Sequence, residues 1–140
     1  MPRRIKKTSS PKEAGGIKKA ALPNELLRFS FKFFDGTDIE VCPPAFPNGY
    51  TRKLMERMRD LSGWTVSRFE TRYDKAIRNH THDWPKTSRP NGFAALNEQF
   101  HAYPGWQFQL SANEHGRVHG IIIDNTFYVI WLDVSHRLYP

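Results

Sequence analysis

Hydrophobic and polar residues alternate most clearly near the C-terminus. Over residues 106–111 apolar and polar side chains follow each other strictly, which is the two-residue period of a strand buried on one face. Residues 117–123 and 126–133 are rich in β-branched and aromatic side chains, and the Asp124-Asn125 dipeptide between them suits a two-residue hairpin. The pattern therefore predicts three consecutive antiparallel strands.

The pattern upstream predicts one more strand and two helices. Alternation over residues 27–33 indicates a first strand. Apolar residues recur at helical spacing over residues 51–62, and a second helix would begin at Thr65, its N-cap. The apolar face of this second helix would consist of Val66, Phe69, Tyr73 and Ile77. The short link between the helices predicts a helical hairpin.

These elements together predict an α+β fold, with a twisted, largely antiparallel sheet of four strands and a two-helix hairpin packed on one face. The length of 140 residues suits a single domain, which we expect over residues 24–140. Residues 79–105 break the periodic pattern and contain several aromatic side chains. Such a long connector is typical of a binding or catalytic loop, but it could equally be an insertion that covers an open face of the sheet.

The positive charge is concentrated at the N-terminus. Residues 1–20 contain seven Lys or Arg and one acidic residue, so this segment carries +6 of the net charge of +7. We expect a basic, flexible tail over residues 1–23, which would either add salt-sensitive attraction to phosphate or only keep the protein soluble. Cys42 is the only cysteine, so an intramolecular disulfide is excluded and a cytoplasmic location is expected. No apolar run approaches the length of a membrane span, so no membrane partner is expected.

Polar residues with catalytic potential lie in the last two strands and at the C-terminus. Arg117 and His119 are two residues apart on a strand, so their side chains point to the same face. His136, Arg137 and Tyr139 follow the last strand. Histidine exchanges protons near neutral pH, and the arginine fork binds phosphate oxygens. These are the groups that metal-independent cleavage of RNA by its own 2′-OH requires.

The order of the elements resembles that of the RelE/ParE superfamily of small bacterial toxins. The resemblance is carried by Arg117 at the start of the penultimate strand, by the hairpin over residues 123–127, and by the terminal segment 136–139. It implies a helical hairpin on a twisted antiparallel sheet. In the ribonuclease members, an arginine on a central strand and a His or Tyr near the C-terminus lie beside the scissile phosphate. Residue by residue, this implies catalytic roles for Arg117, His136 and Tyr139, and the strand periodicity adds His119.

The function that this resemblance implies is a RelE-like RNA endonuclease that needs no metal or other cofactor. Such a protein would be the toxin of a toxin–antitoxin or defence system. Its partners would be RNA or the ribosome and a protein antitoxin. The alternative is a non-catalytic accessory module that binds nucleic acid or protein, with attachment through its basic tail.

Basic residues could form a nucleic-acid surface on the second helix. Arg68, Arg72, Lys75 and Arg78 recur at three- and four-residue spacing, and Arg137 could hold further phosphate oxygens. These side chains could instead form an ordinary solvated helix face, since acidic residues are interspersed among them.

Other interpretations of the candidate residues also remain open. Arg117 could pair with Asp133 or Glu114, and Leu138 and Tyr139 could pack into the core to fasten the chain end. The remaining cluster, a candidate metal site, is formed by His80, His82 and Asp83, although the spacing matches no recognised zinc motif.

Overall fold

The computed structural model describes residues 16–112 and 114–139. These residues form an α+β fold, as predicted, with five strands, two α-helices and two short 3₁₀ helices. In chain order the strands and α-helices are β1 (Arg28–Ser30), α1 (Tyr50–Leu61), α2 (Val66–Thr71), β2 (His80–Thr81), β3 (Trp106–Gln109), β4 (Arg117–Ile123) and β5 (Thr126–Asp133). The strands form a single sheet in the order β1-β5-β4-β3-β2, in which β1 is parallel to β5 and every other pair is antiparallel.

The three C-terminal strands are confirmed. The ends of β4 and β5 pair through Ile123 and Thr126, and Asp124 in the turn between them has a φ of 56°. A β-bulge interrupts this ladder, because His119 pairs with Trp131 whereas the next residue, Gly120, pairs with Val129. The hairpin places the polar ends of β4 and β5 side by side.

The sheet has five strands rather than the four predicted. The additional strand, β2, lies in the connector and consists of only two residues, which is too short to show a periodic pattern. The predicted first strand is also shorter than expected, because the backbone N–H of Phe34 donates to the carbonyl of Phe31 and turns the chain away from the ladder.

The second helix begins where predicted but ends early. The Thr65 hydroxyl accepts a hydrogen bond from the backbone N–H of Arg68 at 3.1 Å, which confirms Thr65 as the N-cap. The helix ends at Thr71 because the next residue is extended and the Asn79 side chain binds the carbonyls of Phe69 and Arg72. The segment after the helix is therefore a loop held by Asn79, and not the two further helical turns that the periodicity predicted.

Two layers cover the two faces of the sheet. On the helical side, the Phe69 ring lies 5.4 Å from that of Trp106, centroid to centroid, and 5.9 Å from that of Phe127. On the other side, Trp131 packs against Phe93 of the connector, with ring centroids 4.7 Å apart. The connector thus covers the second face of the sheet, as one of the two interpretations of this segment supposed.

This second layer changes the environment of β3. Its polar residues Gln107 and Gln109 are buried, so the strand is not half-exposed as its alternation suggested. The two amide groups donate to the backbone carbonyls of Arg78 and Ala76, at 3.3 and 3.0 Å. The polar residues of β3 therefore bind the loop that follows α2.

Most of the predicted basic tail lies outside the described residues, which begin at position 16. In the part of the chain that the structure describes, no helix has both the length and the apolar character needed to cross a membrane.

Candidate functional site

Four polar side chains form a continuous chain of hydrogen bonds at one end of the sheet. His119 Nε2 lies 3.0 Å from Asp133 Oδ2, His119 Nδ1 lies 3.0 Å from His82 Nε2, and His82 Nδ1 lies 2.6 Å from the Tyr139 hydroxyl. An ionised carboxylate can only accept, so Nε2–H of His119 donates to Asp133. It follows that His82 donates to His119 and that Tyr139 donates to His82, which satisfies every group with both imidazoles neutral.

The C-terminal segment closes this chain into a ring. Asp133 Oδ1 accepts the backbone N–H of Arg137 at 2.7 Å, and Oδ2 accepts that of Leu138 at 3.0 Å. Leu138 is fully buried, so the chain end is packed into the core, as one of the structural alternatives supposed. We call the set Asp133, His119, His82 and Tyr139 the polar ring, since the backbone from Asp133 to Tyr139 joins its two ends.

Burial sets the charge state of the polar ring. Removal from water lowers the pKa of His119, which has no exposed surface, and lowers the pKa of His82 to about 2. Burial would raise the pKa of Asp133, but the hydrogen bonds from His119 and from two backbone N–H groups outweigh it, so this pKa lies below its ordinary value. The ring therefore holds one negative charge and two neutral histidines near neutral pH.

A polar cavity of about 310 Å³ opens beside the polar ring. Its lining residues are Ala112, Gly116, Arg117, Val134, Ser135 and His136. The Arg117 side chain is only 8% exposed, and its Nε has no hydrogen-bond partner among the described residues. Its Nη1 makes one long contact of 3.4 Å with the carbonyl of Gly116. We refer to this feature as the Arg117 cavity.

The charge of Arg117 is not matched by a carboxylate. No salt bridge to Arg117 occurs among the described residues, and its cross-strand neighbour Asp133 is bound to His119 and to the backbone instead. The predicted pairing with Asp133 or Glu114 is therefore not formed. Burial and the nearby charge of Arg78 lower the pKa of Arg117, although a guanidinium stays protonated at physiological pH. A buried cation without a partner is costly, and an anion in the cavity would supply the missing acceptors.

His136 lies at the same cavity and has an unusual backbone conformation. Its φ of 56° is in the left-handed region, and its side chain is half-buried. Burial and then the charge of Arg117 lower the pKa of His136 below 6.5, so the imidazole is neutral at neutral pH. Gly116 forms the opposite wall with a φ of 68°, and a Cβ at this position would lie 1.9 Å from the Asp133 carbonyl oxygen. Only glycine fits there.

The structure divides the four predicted catalytic residues into two pairs. Arg117 and His136 line the cavity, whereas His119 and Tyr139 belong to the polar ring. His119 has no exposed surface and so has no direct access to a substrate. Asp133, which joins the two pairs, was not among the residues predicted to form a site. The sequence feature that could have indicated Asp133 was a carboxylate at the end of an apolar strand, followed by a polar turn.

His82 and Asp83 of the candidate metal site bind other protein groups. Both ring nitrogens of His82 take part in hydrogen bonds of the polar ring, and the Asp83 carboxylate lies 3.6 Å from the Lys86 ammonium. Across the described residues, no group of three or more His, Cys, Asp or Glu side chains is placed to hold a metal ion.

The predicted nucleic-acid residues do not share one helix face, because α2 ends before Arg72. The guanidinium of Arg68 stacks on the Trp64 ring, 3.6 Å from its centroid. Arg72 and Arg78 lie in the following loop with exposed side chains. Arg137 is also exposed, and its backbone N–H binds Asp133.

No protein-family model, curated protein or solved structure matches this chain. A functional assignment must therefore be argued from the chemistry of the Arg117 cavity and the polar ring.

Proposed function

We propose that this protein is a metal-independent RNA endonuclease of the RelE-like kind and that the Arg117 cavity holds the scissile phosphate. The observation that supports this most strongly is the buried guanidinium of Arg117, which has no carboxylate partner within residues 16–112 and 114–139 and lines an open polar cavity. A planar guanidinium can bind two phosphate oxygens at once, and it does so strongly where water is largely excluded.

In the proposed reaction, His136 acts as the general base. Its neutral imidazole takes the proton of the substrate 2′-OH, and the 2′-oxygen attacks the adjacent phosphorus. The P–O5′ bond breaks, and the leaving 5′-oxygen takes a proton from water. Arg117 stabilises the negative charge that accumulates on the non-bridging oxygens in the transition state. The products are a 2′,3′-cyclic phosphate and a 5′-hydroxyl.

The polar ring has a supporting role in this proposal. Asp133 holds the turn that carries His136, through its bonds to the backbone of Arg137 and Leu138. His119 and Tyr139, which the resemblance and the strand pattern assigned to catalysis, would act by fixing Asp133 and the chain end. They are positioning residues, and Arg117 and His136 are the catalytic residues.

The biological setting is also a proposal. A ribonuclease of this kind would act on RNA, either free or on the ribosome, and as a toxin it would be restrained by a protein antitoxin. These partners follow from the resemblance to RelE/ParE toxins.

A second candidate function is non-catalytic binding of nucleic acid or protein. The Arg117 Nε, which has no hydrogen-bond partner in the described part of the chain, favours it too, because a phosphate could bind Arg117 without any proton transfer by His136. This module would require Arg117 but would not depend on the basicity of His136.

The experiment that tests the proposal is incubation of the purified full-length protein with total RNA, with and without EDTA, and with translating ribosomes in a buffer that contains Mg²⁺. We expect cleavage by the wild type, loss of cleavage in Arg117→Gln and His136→Asn, and normal cleavage in His101→Asn, a control at an exposed histidine outside the site. Absence of cleavage of both substrates, or cleavage that EDTA abolishes, would contradict the proposal.

A further inference from the structure

The loop that follows α2 lies beside the Arg117 cavity. Gln109 on β3 is the cross-strand neighbour of Arg117. Its backbone N–H donates to the carbonyl of Ile77 at 2.6 Å, and its side chain donates to the carbonyl of Ala76 at 3.0 Å. Arg78 is also close enough to Arg117 for its charge to lower the pKa of Arg117. One residue of β3 thus connects the loop to the cavity. We call residues 72–78 the basic loop.

Side-chain hydrogen bonds fix the backbone of the basic loop. The Asn79 amide donates to the carbonyls of Phe69 and Arg72, both at 2.8 Å, and its oxygen accepts the N–H of Asp74. The Asp74 carboxylate accepts the N–H of Ala76 at 2.8 Å. The only carboxylate of the loop thus fixes the backbone, and the loop carries three cations against this one acidic residue, a net charge of +2.

The exposed side chains of the basic loop are three cations and one aromatic ring. Arg72, Lys75 and Arg78 are exposed, and Tyr73 is 59% exposed although it is a large hydrophobic residue. An exposed ring among cations is the arrangement that proteins use to bind single-stranded nucleic acid, in which bases stack on the ring and cations hold the backbone. A duplex cannot use such a ring, because its bases are already stacked on each other.

We infer that the basic loop binds unpaired RNA next to the Arg117 cavity, with one base stacked on Tyr73 and the flanking phosphates held by Arg72, Lys75 and Arg78. This inference rests on the proposed function and specifies its substrate as single-stranded RNA. Tyr73 is then a specificity residue, since it reads whether the RNA is paired and not the identity of the base.

The test is a binding titration of the full-length protein with a fluorescent RNA oligonucleotide, as a single strand and as a duplex, in which every 2′-oxygen is methylated so that the RNA cannot be cleaved. We expect Tyr73→Ala to weaken single-strand binding by about 5- to 150-fold, the range that corresponds to base–aromatic stacking. Tyr73→Phe keeps the ring and should bind like the wild type. Tyr103→Ala, at an exposed tyrosine of the connector, is the matched control and should also bind normally.

The inference is overturned if Tyr73→Ala binds the single strand as tightly as the wild type, or if it weakens single-strand and duplex binding equally. It is also overturned if Tyr73→Phe loses as much affinity as Tyr73→Ala.

Cleavage assays of the same variants separate this result from the proposed function. Normal single-strand binding by Tyr73→Ala, together with cleavage that is lost in His136→Asn, would reject the stacking role alone. If Tyr73→Ala weakens single-strand binding but neither the wild type nor any variant cleaves RNA, the proposed nuclease activity is rejected and the proposed binding surface is kept.

Discussion

His119 donates from Nε2 to the Asp133 carboxylate over 3.0 Å, and neither side chain has any exposed surface. This buried pair holds the ends of β4 and β5 together at the point where the chain turns toward the Arg117 cavity. Its carboxylate also accepts two backbone N–H groups of the C-terminal segment. The pair therefore links the stability of the sheet to the position of His136.

Asp133→Asn should lower the free energy of unfolding by about 3 kcal/mol, because an amide has one acceptor oxygen where the carboxylate binds three donors, and its NH₂ group would face another donor. The measurement is urea unfolding at pH 7. Asp124→Asn, in the exposed hairpin turn, is the control and should change the stability by less than about 0.5 kcal/mol. Equal stability of the two variants would contradict the role assigned to Asp133.

Acidification should destabilise the protein below about pH 6.5, because the folded-state pKa values of His82 and His119 are depressed below the unfolded value. In that range the unfolded state binds more protons than the folded state. The contribution of the two histidines to the free energy of unfolding is therefore complete above their pKa in the unfolded state and is lost as the pH falls. For His82 the loss between pH 7 and pH 5 is about 2 kcal/mol. Asp133, whose pKa is also lowered, adds a further loss only below about pH 4.

Unfolding titrations at pH 7 and pH 5 would measure this dependence. His82→Gln should show a smaller loss of stability between the two pH values than the wild type, and His101→Gln should show the same loss. If all three proteins lose stability equally, the histidines of the polar ring are not the groups responsible.

Gly116→Ala should be strongly destabilising, by more than about 3 kcal/mol, because its Cβ would overlap the Asp133 carbonyl oxygen and the left-handed backbone would be strained as well. Gly49→Ala is the matched control. Gly49 also has a positive φ, of 83°, but a Cβ there meets nothing within 4 Å, so only the backbone cost of about 1 kcal/mol is expected. Thermal unfolding of both variants provides the comparison. A similar loss of stability in each would mean that the backbone around Gly116 can shift to accommodate the Cβ.

Arg117→Met should separate stability from function. Methionine removes a buried charge that meets no carboxylate partner among the residues that the structure describes, so the free energy of unfolding should stay the same or rise by about 1–3 kcal/mol. Phosphate should stabilise the wild type and not this variant. The measurement is thermal unfolding of both proteins with and without added phosphate. A marked loss of stability in Arg117→Met would show that the role of Arg117 is to stabilise the fold and not to bind an anion.

The sequence predicted the three C-terminal strands well because residues 106–133 carry strong local patterns and the hairpin turn is only two residues long. The parallel pairing of β1 with β5 could not be predicted, since Phe29 and Phe127 are brought together by contacts across nearly 100 positions of the chain. The early end of α2 depends on the Asn79 side chain, which lies beyond the periodic pattern. Periodicity therefore overestimated the length of this helix.

The candidate site was predicted in part. The strand pattern placed Arg117 and His119 together, but it could not show that the connector covers this face and buries His119. The contact between His82 and His119 spans 37 positions and depends on that irregular connector, so no local signal indicated it. Whether Arg117, His136 or the ring residues take part in catalysis stays a prediction.

The most direct test of the central claim is to identify the RNA ends that the purified protein produces in EDTA, alongside Arg117→Gln and His136→Asn. We expect 2′,3′-cyclic phosphate and 5′-hydroxyl ends from the wild type and no such ends from either variant, both of which should remain folded. Products with 5′-phosphate ends, or unchanged cleavage by both variants, would contradict attack by the 2′-OH at the Arg117 cavity.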